Sequence, residues 1–559
     1  MIRHLPFLFY FLILLPATIF SQKGLVTSKA MVVSAREEAS NIGVEIMKKG
    51  GNAFDAMFAT ELALAVAYPY AGNIGGGGFM VYRKANGETG ALDYREKAPL
   101  AATKNMYLDK NGNLIPNLSV NGALSIGIPG TIAGIFAVHE KFGKLSVEKI
   151  MQPVIELAKK GVVVTPKQEK QMQTWRTDIV KVSGAETLFS KSFKAGDTMK
   201  FPALAATLTQ IMKNGSDEFY NGATSKKIVA FLKKNGGIIT SEDLAKYEVK
   251  WRKPITFNYK DLKIISMSPP SSGGITLQQI LRMVEPYPLS KYGHNSEKYI
   301  QVLTEAERRA YADRNFFLGD PDFIKIPKNE MVATKYLRQR MKTFNWKKAT
   351  LSSEVSHGRI KISESNETTH YSIVDADGNA VSATTTLNGA YGSKLYSDEL
   401  GFFFNNEMDD FSAKPGALNS YGLVGTEANS IAPQKRMLSS MTPTIIEKNG
   451  KLFMLLGSPG GSTIITSVLQ TILNVCEFNM TMQQAVDVPR FHHQWLPDEV
   501  VFDPVGFSAQ TLENLKKKKY NIVEKTSPVI GKVDAILILP DGNREGGADH
   551  RGDDKAVGF

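Results

Sequence analysis

The stretch Gly457-Ser458-Pro459-Gly460-Gly461-Ser462 is the part of this sequence best suited to bind an anion. It follows Leu452–Leu456, an apolar run typical of a strand, and precedes an apolar helical run from Thr463 to Val475. A glycine turn between a strand and a helix presents unpaired backbone N–H groups at the positive end of the helix dipole. Such N–H groups can bind an anion or stabilise an oxyanion. Glycines at such turns also serve packing alone, so both interpretations stay open.

Two polar clusters precede this turn and could recognise a small charged ligand. The first is Asn405-Asn406-Glu407-Met408-Asp409-Asp410, which follows Asn388, and the second is Arg436-Met437-Leu438-Ser439-Ser440-Met441. Carboxylates in one cluster and an arginine with serines in the other suit the opposite ends of a zwitterion, because each end then meets groups of complementary charge. A solvated acidic loop and a polar strand edge are the alternative interpretations.

Several other kinds of chemistry are disfavoured by the same inspection. Glycines 75–78 follow a helical pattern and precede a strand, whereas nucleotide-binding glycine motifs need the order strand, glycines, helix. The Gly-x-Ser-x-Gly elbow of serine hydrolases is missing, as are EF-hand spacing near Glu407 and any His-Glu-x-x-His. His492 and His493 are adjacent, so on a strand their imidazoles would point to opposite faces. We predict no metal and no cofactor, and a hydrolase would need a nucleophile other than an elbow serine.

The elements that must position these residues follow from local patterns. Thr369–Val374 and Ala380–Leu387, joined by the turn 375–379, predict a strand-turn-strand unit. The preceding segment, 361–367, is polar and predicts an exposed loop.

Helix signals are clearest near the start of the chain and in its middle. Ser34-Ala35-Arg36-Glu37 predicts a capping box for a helix that ends at Gly50-Gly51. Asn52 predicts the cap of a second helix, which runs to about Ala67. Residues 130–350 are mostly helical in pattern, with Ser296–Ala312 as an example.

Composition and targeting signals define the class of protein. The chain has 559 residues, 43% hydrophobic and 22% charged, as expected for a globular protein, and a single cysteine, Cys476, which excludes an intramolecular disulfide. A short positive start and the apolar run Leu5–Phe20 are typical of a secretory signal peptide cleaved near Ser21. The run is short for a bilayer span and contains prolines, so we predict a periplasmic or secreted protein with no stable membrane anchor.

The net charge of +12 does not predict a nucleic-acid partner. Residues 1–367 carry +18 and residues 368–559 carry −6, so the two parts have opposite signs and should attract each other. The densest basic run, Lys516–Lys519, lacks interleaved aromatics and fits a solvated helix end.

Several ordered motifs closely resemble those of the γ-glutamyltransferases, also called γ-glutamyltranspeptidases. The resemblance covers essentially the whole chain after the signal peptide. Its motifs are Asn73–Phe79, Asp93–Pro99, Ser271–Gly274, Glu367–Ser372, Thr386–Asn388, Asn405–Phe411, Leu438–Pro443, Gly457–Gly461 and Pro489–Gln494.

The resemblance implies an α/β fold of the N-terminal-nucleophile hydrolase type, a four-layer αββα sandwich. It also implies a precursor that cuts itself between Glu367 and Thr368. The products would be a large subunit, 22–367, and a small catalytic subunit, 368–559, which stay together as a heterodimer.

Roles for individual residues are likewise implied by the resemblance. Thr368 would be the nucleophile, oriented by Thr386, with the amides of Gly460 and Gly461 binding the oxyanion. The residues implied to bind the α-carboxylate of a γ-glutamyl group are Arg95, Ser439 and Ser440, and those implied to bind its α-ammonium are Asn388, Glu407 and Asp410. Pro415–Thr426, with Tyr421, resembles a lid loop. Met437 stands where proline is common in the family.

The function expected from this resemblance is γ-glutamyl transfer from glutathione or related compounds to water, an amino acid or a peptide. One alternative is a relative that deacylates glutaryl or cephalosporin-type amides, which would not need Glu407 and Asp410 to read an ammonium. Another is an uncleaved, non-catalytic exported protein that binds amino acids or peptides. The intact Thr368, Thr386, Gly460 and Gly461 argue against that second alternative.

Overall fold

The computed structural model of the protein describes residues 23–356, 367–412, 427–524 and 530–559. The predicted signal peptide and the predicted lid loop with Tyr421 lie outside the described residues, as does most of the predicted loop 361–367. Within the described ranges, none of the helices combines the length and the apolar character needed to pass through a bilayer.

Two antiparallel sheets form the centre of the described structure. Their strands are β1 (Val26–Thr27), β2 (Met31–Ser34), β3 (Gly77–Arg83), β4 (Thr89–Tyr94), β5 (Lys250–Arg252), β6 (Ile255–Tyr259), β7 (Leu262–Ser266), β8 (Glu367–Val374), β9 (Ala380–Asn388), β10 (Thr444–Lys448), β11 (Lys451–Gly457), β12 (Asp534–Ile538), β13 (Arg544–Ala548) and β14 (Lys555–Gly558). The first sheet has the order β14-β2-β8-β9-β3-β4-β5, and the second has the order β1-β13-β12-β11-β10-β7-β6.

Helices cover the outer faces of both sheets. Those of eight residues or more are α1 (Glu37–Lys48), α2 (Ala53–Ala67), α3 (Thr131–Phe142), α4 (Val147–Lys160), α5 (Pro166–Ser183), α6 (Pro202–Asn214), α7 (Ala223–Lys234), α8 (Gly273–Val284), α9 (Glu297–Phe317), α10 (Thr334–Met341), α11 (Thr463–Phe478) and α12 (Ala509–Lys517). Helices α1 and α2 pack on the first sheet, and α8 and α11 pack on the second. The layers are therefore helix, sheet, sheet, helix, which confirms the predicted αββα sandwich.

The predicted strand-turn-strand unit is confirmed as β8 and β9, at the middle of the first sheet. The Asp375 carboxylate closes the turn by accepting hydrogen bonds from the backbone and the side chain of Asn379, at 2.9 and 2.7 Å. Every residue of β9 is buried. The hydroxyls of Ser372 and Ser382 donate to carbonyls of the second sheet, both at 3.1 Å. This hairpin therefore connects the first sheet to the second.

Of the two predicted helix caps, one is confirmed and one is wrong. The Asn52 side chain accepts from the N–H groups of Phe54 and Asp55, and the Asp55 carboxylate accepts from the N–H of Asn52, which is a capping box. Helix α1 instead begins after Arg36, with no side-chain cap. Ser34 is the last residue of β2, because it pairs with Tyr371 of β8, so a long-range contact overrides the local capping signal.

Candidate active site

Four positions form a row across one end of the first sheet. Thr368 on β8 pairs with Thr386 on β9, and Thr386 pairs with Gly77 on β3. Arg95 is the first residue after β4, and the β3–β4 register continues to place it beside Gly77. Directly paired residues point to the same face of a sheet. Because neighbouring strands lie about 4.8 Å apart, the backbones of Thr368 and Arg95 are roughly 14 Å apart, which an arginine side chain and a small ligand can fill.

A backbone amide in the turn that follows β11 of the second sheet points at the hydroxyl of Thr368. The N–H of Gly460, just after β11, donates to Thr368 Oγ1 over 3.4 Å. Gly460 has φ +125°, and a Cβ there would lie 2.4 Å from Oγ1 of Thr463, so the position requires glycine. Thr368 is only 5% exposed. In such a shielded site an N–H dipole can strongly stabilise negative charge that develops near the hydroxyl.

Hydrogen bonds from three directions hold the turn that carries Gly460. Its carbonyl accepts from the N–H and the hydroxyl of Thr463, at 3.0 and 2.7 Å. The hydroxyl of Tyr311, on α9, donates to the carbonyl of Ser462. The N–H of Lys532 donates to Ser458 Oγ at 3.0 Å. The predicted strand, glycine turn and helix are therefore confirmed as local structure, and the turn is fixed from outside as well.

His370, two residues after Thr368 on the same face of β8, joins the two sheets below the site. Its ring is hydrogen-bonded to the hydroxyls of Thr384 and Ser372, at 2.9 and 3.1 Å. Complete burial lowers the pKa of His370 to about 3, so the ring is neutral at physiological pH. A Cβ on Gly457 would lie 2.4 Å from this ring. The close approach of ring and backbone sets the spacing between β8 and β11.

Thr386 and Asn388 occupy the end of β9 beside Thr368. The N–H of Asn388 donates to Thr386 Oγ1 at 2.7 Å. The side-chain amide of Asn388 donates to the carbonyl of Asn406 at 2.9 Å, so its Oδ1 is the atom that could accept a hydrogen bond from a ligand. Asn388 has φ +68°, a left-handed conformation that asparagine tolerates. Both side chains are buried.

At the other end of the row, Arg95 is already paired with two carboxylates. Its guanidinium donates to Glu407 and Asp410, and further N–H groups reach the carbonyls of Met437 and Leu438, at 3.4 and 3.2 Å. The arginine and both carboxylates are buried. In this arrangement the fork of Arg95 cannot also pair bidentately with a ligand carboxylate. The structure thus brings together residues that the resemblance assigned to opposite ends of a ligand.

The acids around Arg95 outnumber it and hold protons more tightly than free carboxylic acids. Burial raises the pKa of Glu96, 3.8 Å from Arg95, to about 8. Burial likewise raises the pKa of Glu407 well above its ordinary value, and the neighbouring carboxylates add to the effect. Burial opposes the charge of Arg95, but Glu407 and Asp410 more than compensate and raise its pKa. An additional positive charge would therefore be electrostatically favourable in this cluster.

Ser439 and Ser440 lie beside this cluster with their hydroxyls held in defined orientations. Ser439 Oγ accepts from the N–H of Met441 at 3.2 Å, and Ser440 Oγ accepts from Arg314 at 3.4 Å. Among the described residues neither hydroxyl has an acceptor for its own hydrogen. Ser272, from one of the resembling motifs, donates from its backbone and its hydroxyl to the Ser439 carbonyl, both at 2.7 Å. Both serines are thus prepared to donate to an anionic ligand group.

The structure places ten of the eleven predicted site residues in one region, and the eleventh, Tyr421, lies outside the described residues. Sequence reasoning did not single out Glu96, Arg314 or His370. Glu96 follows Arg95 directly and could have been noticed for that reason. Arg314 lies near the end of a long helix, with no local signal that it faces a site.

A group of possible metal ligands lies apart from the predicted site residues. Asp487, Asp549 and His550 come close enough to share an ion. Asp549, however, accepts hydrogen bonds from Arg490 and Arg551, at 2.6 and 3.1 Å. Two guanidinium groups on one carboxylate leave little attraction for a cation, so this group does not resemble a metal site.

Comparison with known proteins gives consistent results. Residues 39–559 match the sequence family described as Gamma-glutamyltranspeptidase. The glutathione hydrolase proenzyme of Escherichia coli K12 is 44% identical over 536 residues, 95% of this chain and 92% of that protein. The crystal structure of a cephalosporin acylase from Bacillus halodurans has a TM-score of 0.84, with 23% identity over 96% of this chain and 97% of that one. The γ-glutamyltranspeptidase of Helicobacter pylori is 44% identical, with a TM-score of 0.57 over 60% of this chain and 96% of that chain.

The four layers and the threonine at the start of a central strand define the fold as that of an N-terminal-nucleophile hydrolase. Similarity to the acylase supports the fold alone, because its sequence identity is low. The family match spans nearly the whole described chain, and the E. coli protein is similar over almost its full length. The chain belongs to the γ-glutamyltranspeptidase family.

Proposed function

We propose that this protein is a γ-glutamyltransferase and glutathione hydrolase with Thr368 as its nucleophile. The observation that carries the proposal is the row across the first sheet, with a hydroxyl facing a backbone N–H at one end and a cluster of charges at the other. That spacing suits a γ-glutamyl group, whose reactive carbonyl and charged α-carbon lie at opposite ends of a short chain. Glutathione and other γ-glutamyl compounds are therefore the expected substrates.

Maturation would begin with attack of Thr368 Oγ on the carbonyl of Glu367. The C–N bond breaks as the ester forms, which frees the α-amino group of Thr368, and water then hydrolyses the ester to the Glu367 carboxylate and the free Thr368 hydroxyl. The N–H of Gly460, 3.4 Å from Oγ1 in the uncut chain, supports this step because it lies where negative charge develops. The products would be residues 22–367 and 368–559, joined as a heterodimer through the pairing of β2 with β8.

The released amino group supplies the base for the catalytic cycle. An α-amino group has a pKa near 8, so a useful fraction is neutral at pH 7 and can take the proton of Thr368 Oγ, directly or through water. Oγ attacks the γ-carbonyl, the Gly460 and Gly461 amides hold the oxyanion, and the amine leaves with the proton. Water or the amine of an amino acid or peptide then attacks the ester, which releases glutamate or a new γ-glutamyl product.

Recognition of the substrate would use both kinds of charge near Arg95. The α-ammonium would bind Glu407, Asp410 and Oδ1 of Asn388, and the α-carboxylate would bind Ser439, Ser440 and Arg95. Arrival of an ammonium suits a cluster in which several carboxylates surround one guanidinium. Since Arg95 is paired in the free protein, binding of the substrate carboxylate to it would exchange one anionic partner for another.

The two alternative functions predict different behaviour. An acylase for glutaryl or cephalosporin-type amides would gain nothing from Glu407 and Asp410, because its substrate lacks the ammonium. A non-catalytic binding protein would have no use for the close contact between Thr368 and Gly460. A periplasmic or secreted location remains part of the proposal, supported by the signal-like first 21 residues. Tyr421 and its lid would cover the site.

A direct test combines chain analysis with product analysis. Purified protein should separate on a denaturing gel into chains of 346 and 192 residues, and the smaller chain should begin at Thr368. It should release glutamate from glutathione and transfer the γ-glutamyl group to a dipeptide. A single uncut chain without glutamate release would contradict the proposal, whereas cleaved protein that acts only on glutaryl amides would favour the acylase.

A further inference from the structure

Arg314 is a buried cation near the site that the proposed chemistry does not use. It lies in the last turn of α9 and is 1% exposed. Its side chain donates through Nε to Ser272 Oγ at 2.9 Å and through Nη2 to Ser440 Oγ at 3.4 Å. It also interacts electrostatically with Asp410. Arg314 therefore connects a helix of the outer layer with the serines beside the charge cluster.

The contacts of Arg314 fix how Ser440 can bond to a ligand. A hydroxyl has one hydrogen to donate, and an oxygen that accepts an N–H bond directs that hydrogen elsewhere. Ser272 links Arg314 to the backbone of Ser439, because its hydroxyl donates to the Ser439 carbonyl at 2.7 Å while its oxygen accepts from Arg314. One guanidinium thus contacts the Ser440 hydroxyl directly and the Ser439 backbone through Ser272.

The charges of the site also indicate where a ligand carboxylate finds a positive partner. Arg95 has its fork directed at Glu407 and Asp410. In a complex with a ligand carboxylate, the Ser440 hydroxyl would bridge that carboxylate and the guanidinium of Arg314. Burial lowers the pKa of Arg314 to about 10, which leaves it positively charged at neutral pH. In a site of low polarity such a nearby charge strengthens the hydrogen bond from the serine.

We infer that Arg314 is a positioning residue for the α-carboxylate of the γ-glutamyl group, acting through Ser440. It holds the Ser440 hydroxyl as a donor to that carboxylate. It also supplies positive charge near the carboxylate, because the charge of Arg95 is shared with Glu407 and Asp410. The inference rests on the proposed function, since it assigns a role in binding that substrate. Arg95 and Arg314 would then both contribute positive charge near the same carboxylate.

The test separates recognition of the carboxylate from recognition of the ammonium. Turnover of γ-glutamyl-p-nitroanilide is measured with two competitive inhibitors. Glutarate corresponds to glutamate without the ammonium, and 4-aminobutanoate corresponds to glutamate without the α-carboxylate. In Arg314→Gln, KM and the inhibition constant of glutarate should rise about 10- to 100-fold, the range for one charge-assisted hydrogen bond. The kcat and the inhibition constant of 4-aminobutanoate should change less than about threefold.

A control and a second variant guard against a merely structural effect. Arg309 lies on the same helix, is equally buried, and contacts Glu305 and Thr343 instead of the site. Arg309→Lys should leave the ratio of the two inhibition constants unchanged, whereas Arg314→Lys should shift it in the same direction as Arg314→Gln, by less. If Arg314→Gln does not fold, the Arg314→Lys ratio decides, and an unchanged ratio overturns the inference.

A double variant tests whether Arg314 acts through Ser440. Ser440→Ala combined with Arg314→Lys should weaken glutarate binding about as much as Ser440→Ala alone, because the second change removes a contact that is already lost. Fully additive losses would mean that Arg314 acts independently of Ser440 and would overturn the inference. Absence of γ-glutamyl turnover in the unaltered protein would instead overturn the proposed function.

Discussion

The two ends of the row across the first sheet consist of different kinds of chemical group. Around Thr368 the groups are backbone amides, hydroxyls and a neutral imidazole, and their positions follow from strand register and from glycines that leave no room for a side chain. Around Arg95 the groups are four buried ionisable side chains whose protonation states depend on one another. Geometry therefore controls the proposed reactive end, and charge controls the proposed recognition end. Substitutions should affect the two ends in different ways.

The largest effect is expected at the reactive end, from Thr368→Ala. The variant should remain a single chain and lose γ-glutamyl turnover on the order of 10⁴-fold or more, because both proposed reactions use the same hydroxyl. Thr368→Ser, which keeps a hydroxyl, is the matched control and should still be cut. A denaturing gel and N-terminal sequencing provide the measurement. Cleavage of Thr368→Ala at the same bond would show that an external protease makes the cut.

A smaller but still large effect is expected from Gly460→Ala. The new Cβ would lie 2.4 Å from Thr463 Oγ1 at a backbone φ of +125°, so the turn must shift and its N–H moves away from Thr368. Loss of one oxyanion donor costs about 10²- to 10³-fold in kcat. Gly450→Ala is a useful control, because it also has a positive φ but meets no neighbouring atom. Similar kcat losses in both variants would argue against an oxyanion role for Gly460.

The recognition end should respond selectively to the chemistry of the substrate. Asp410→Ala should still be cut at Thr368. The transition-state stabilisation calculated from kcat/KM for a γ-glutamyl amide should fall by about 2 to 4 kcal/mol, the usual value of one charged contact in a shielded pocket. A glutaryl amide, which lacks the ammonium, should be affected much less. Steady-state kinetics with both substrates make the comparison. Equal losses would mean that Asp410 supports the structure and does not read the ammonium.

The smallest effect should appear in the stability of the free protein as a function of pH. Glu96 has a pKa of about 8 in the folded protein, above its ordinary value of 4.5. The folded state therefore binds more protons than the unfolded state, and the free energy of unfolding should decrease as pH rises from about 4.5 to about 8. Between pH 5 and pH 8 the Tm should fall by a few degrees.

Replacement of Glu96 by glutamine should reduce this dependence, because a neutral side chain of similar shape has no proton to lose. Thermal melts of Glu96→Gln and the unaltered protein, recorded across the same pH range, provide the comparison. Melting curves with the same slope against pH in both proteins would assign the titration to other groups. Saturating glutamate should also flatten the curve of the unaltered protein, since its ammonium would stabilise the carboxylates.

Local signals predicted much of the framework of this fold. The β8–β9 hairpin, the glycine turn before α11 and the Asn52 cap all depend on residues a few positions apart, and all were predicted. The cap at Ser34 failed because Ser34 pairs with Tyr371, more than 300 residues away. The row that connects Thr368 with Arg95 likewise depends on pairing between distant strands. For such contacts only the resemblance to a family gave guidance.

Composition of the site was easier to predict than its internal pairing. The resemblance identified both charged groups but assigned Arg95 and Asp410 to opposite ends of a ligand. In the folded chain, burial forces each charge to find a counter-charge, so the two groups pair with each other. Arg314 escaped notice because its contacts are with Ser272 and Ser440, which lie 42 and 126 residues away in the sequence.

The strand order of the first sheet has a consequence for the behaviour of the cut protein on dilution. Strands from the two sides of the cut are interleaved, since β14, β9 and nearly all of β8 come after it in sequence while β2, β3, β4 and β5 come before it. Separation of the two chains after a cut would require the sheet to come apart strand by strand. Differently labelled copies of the processed protein should therefore not exchange their small chains without unfolding, whereas the Tm should rise with protein concentration because unfolding releases two separate chains. The two subunits would separate only when the whole sheet unfolds.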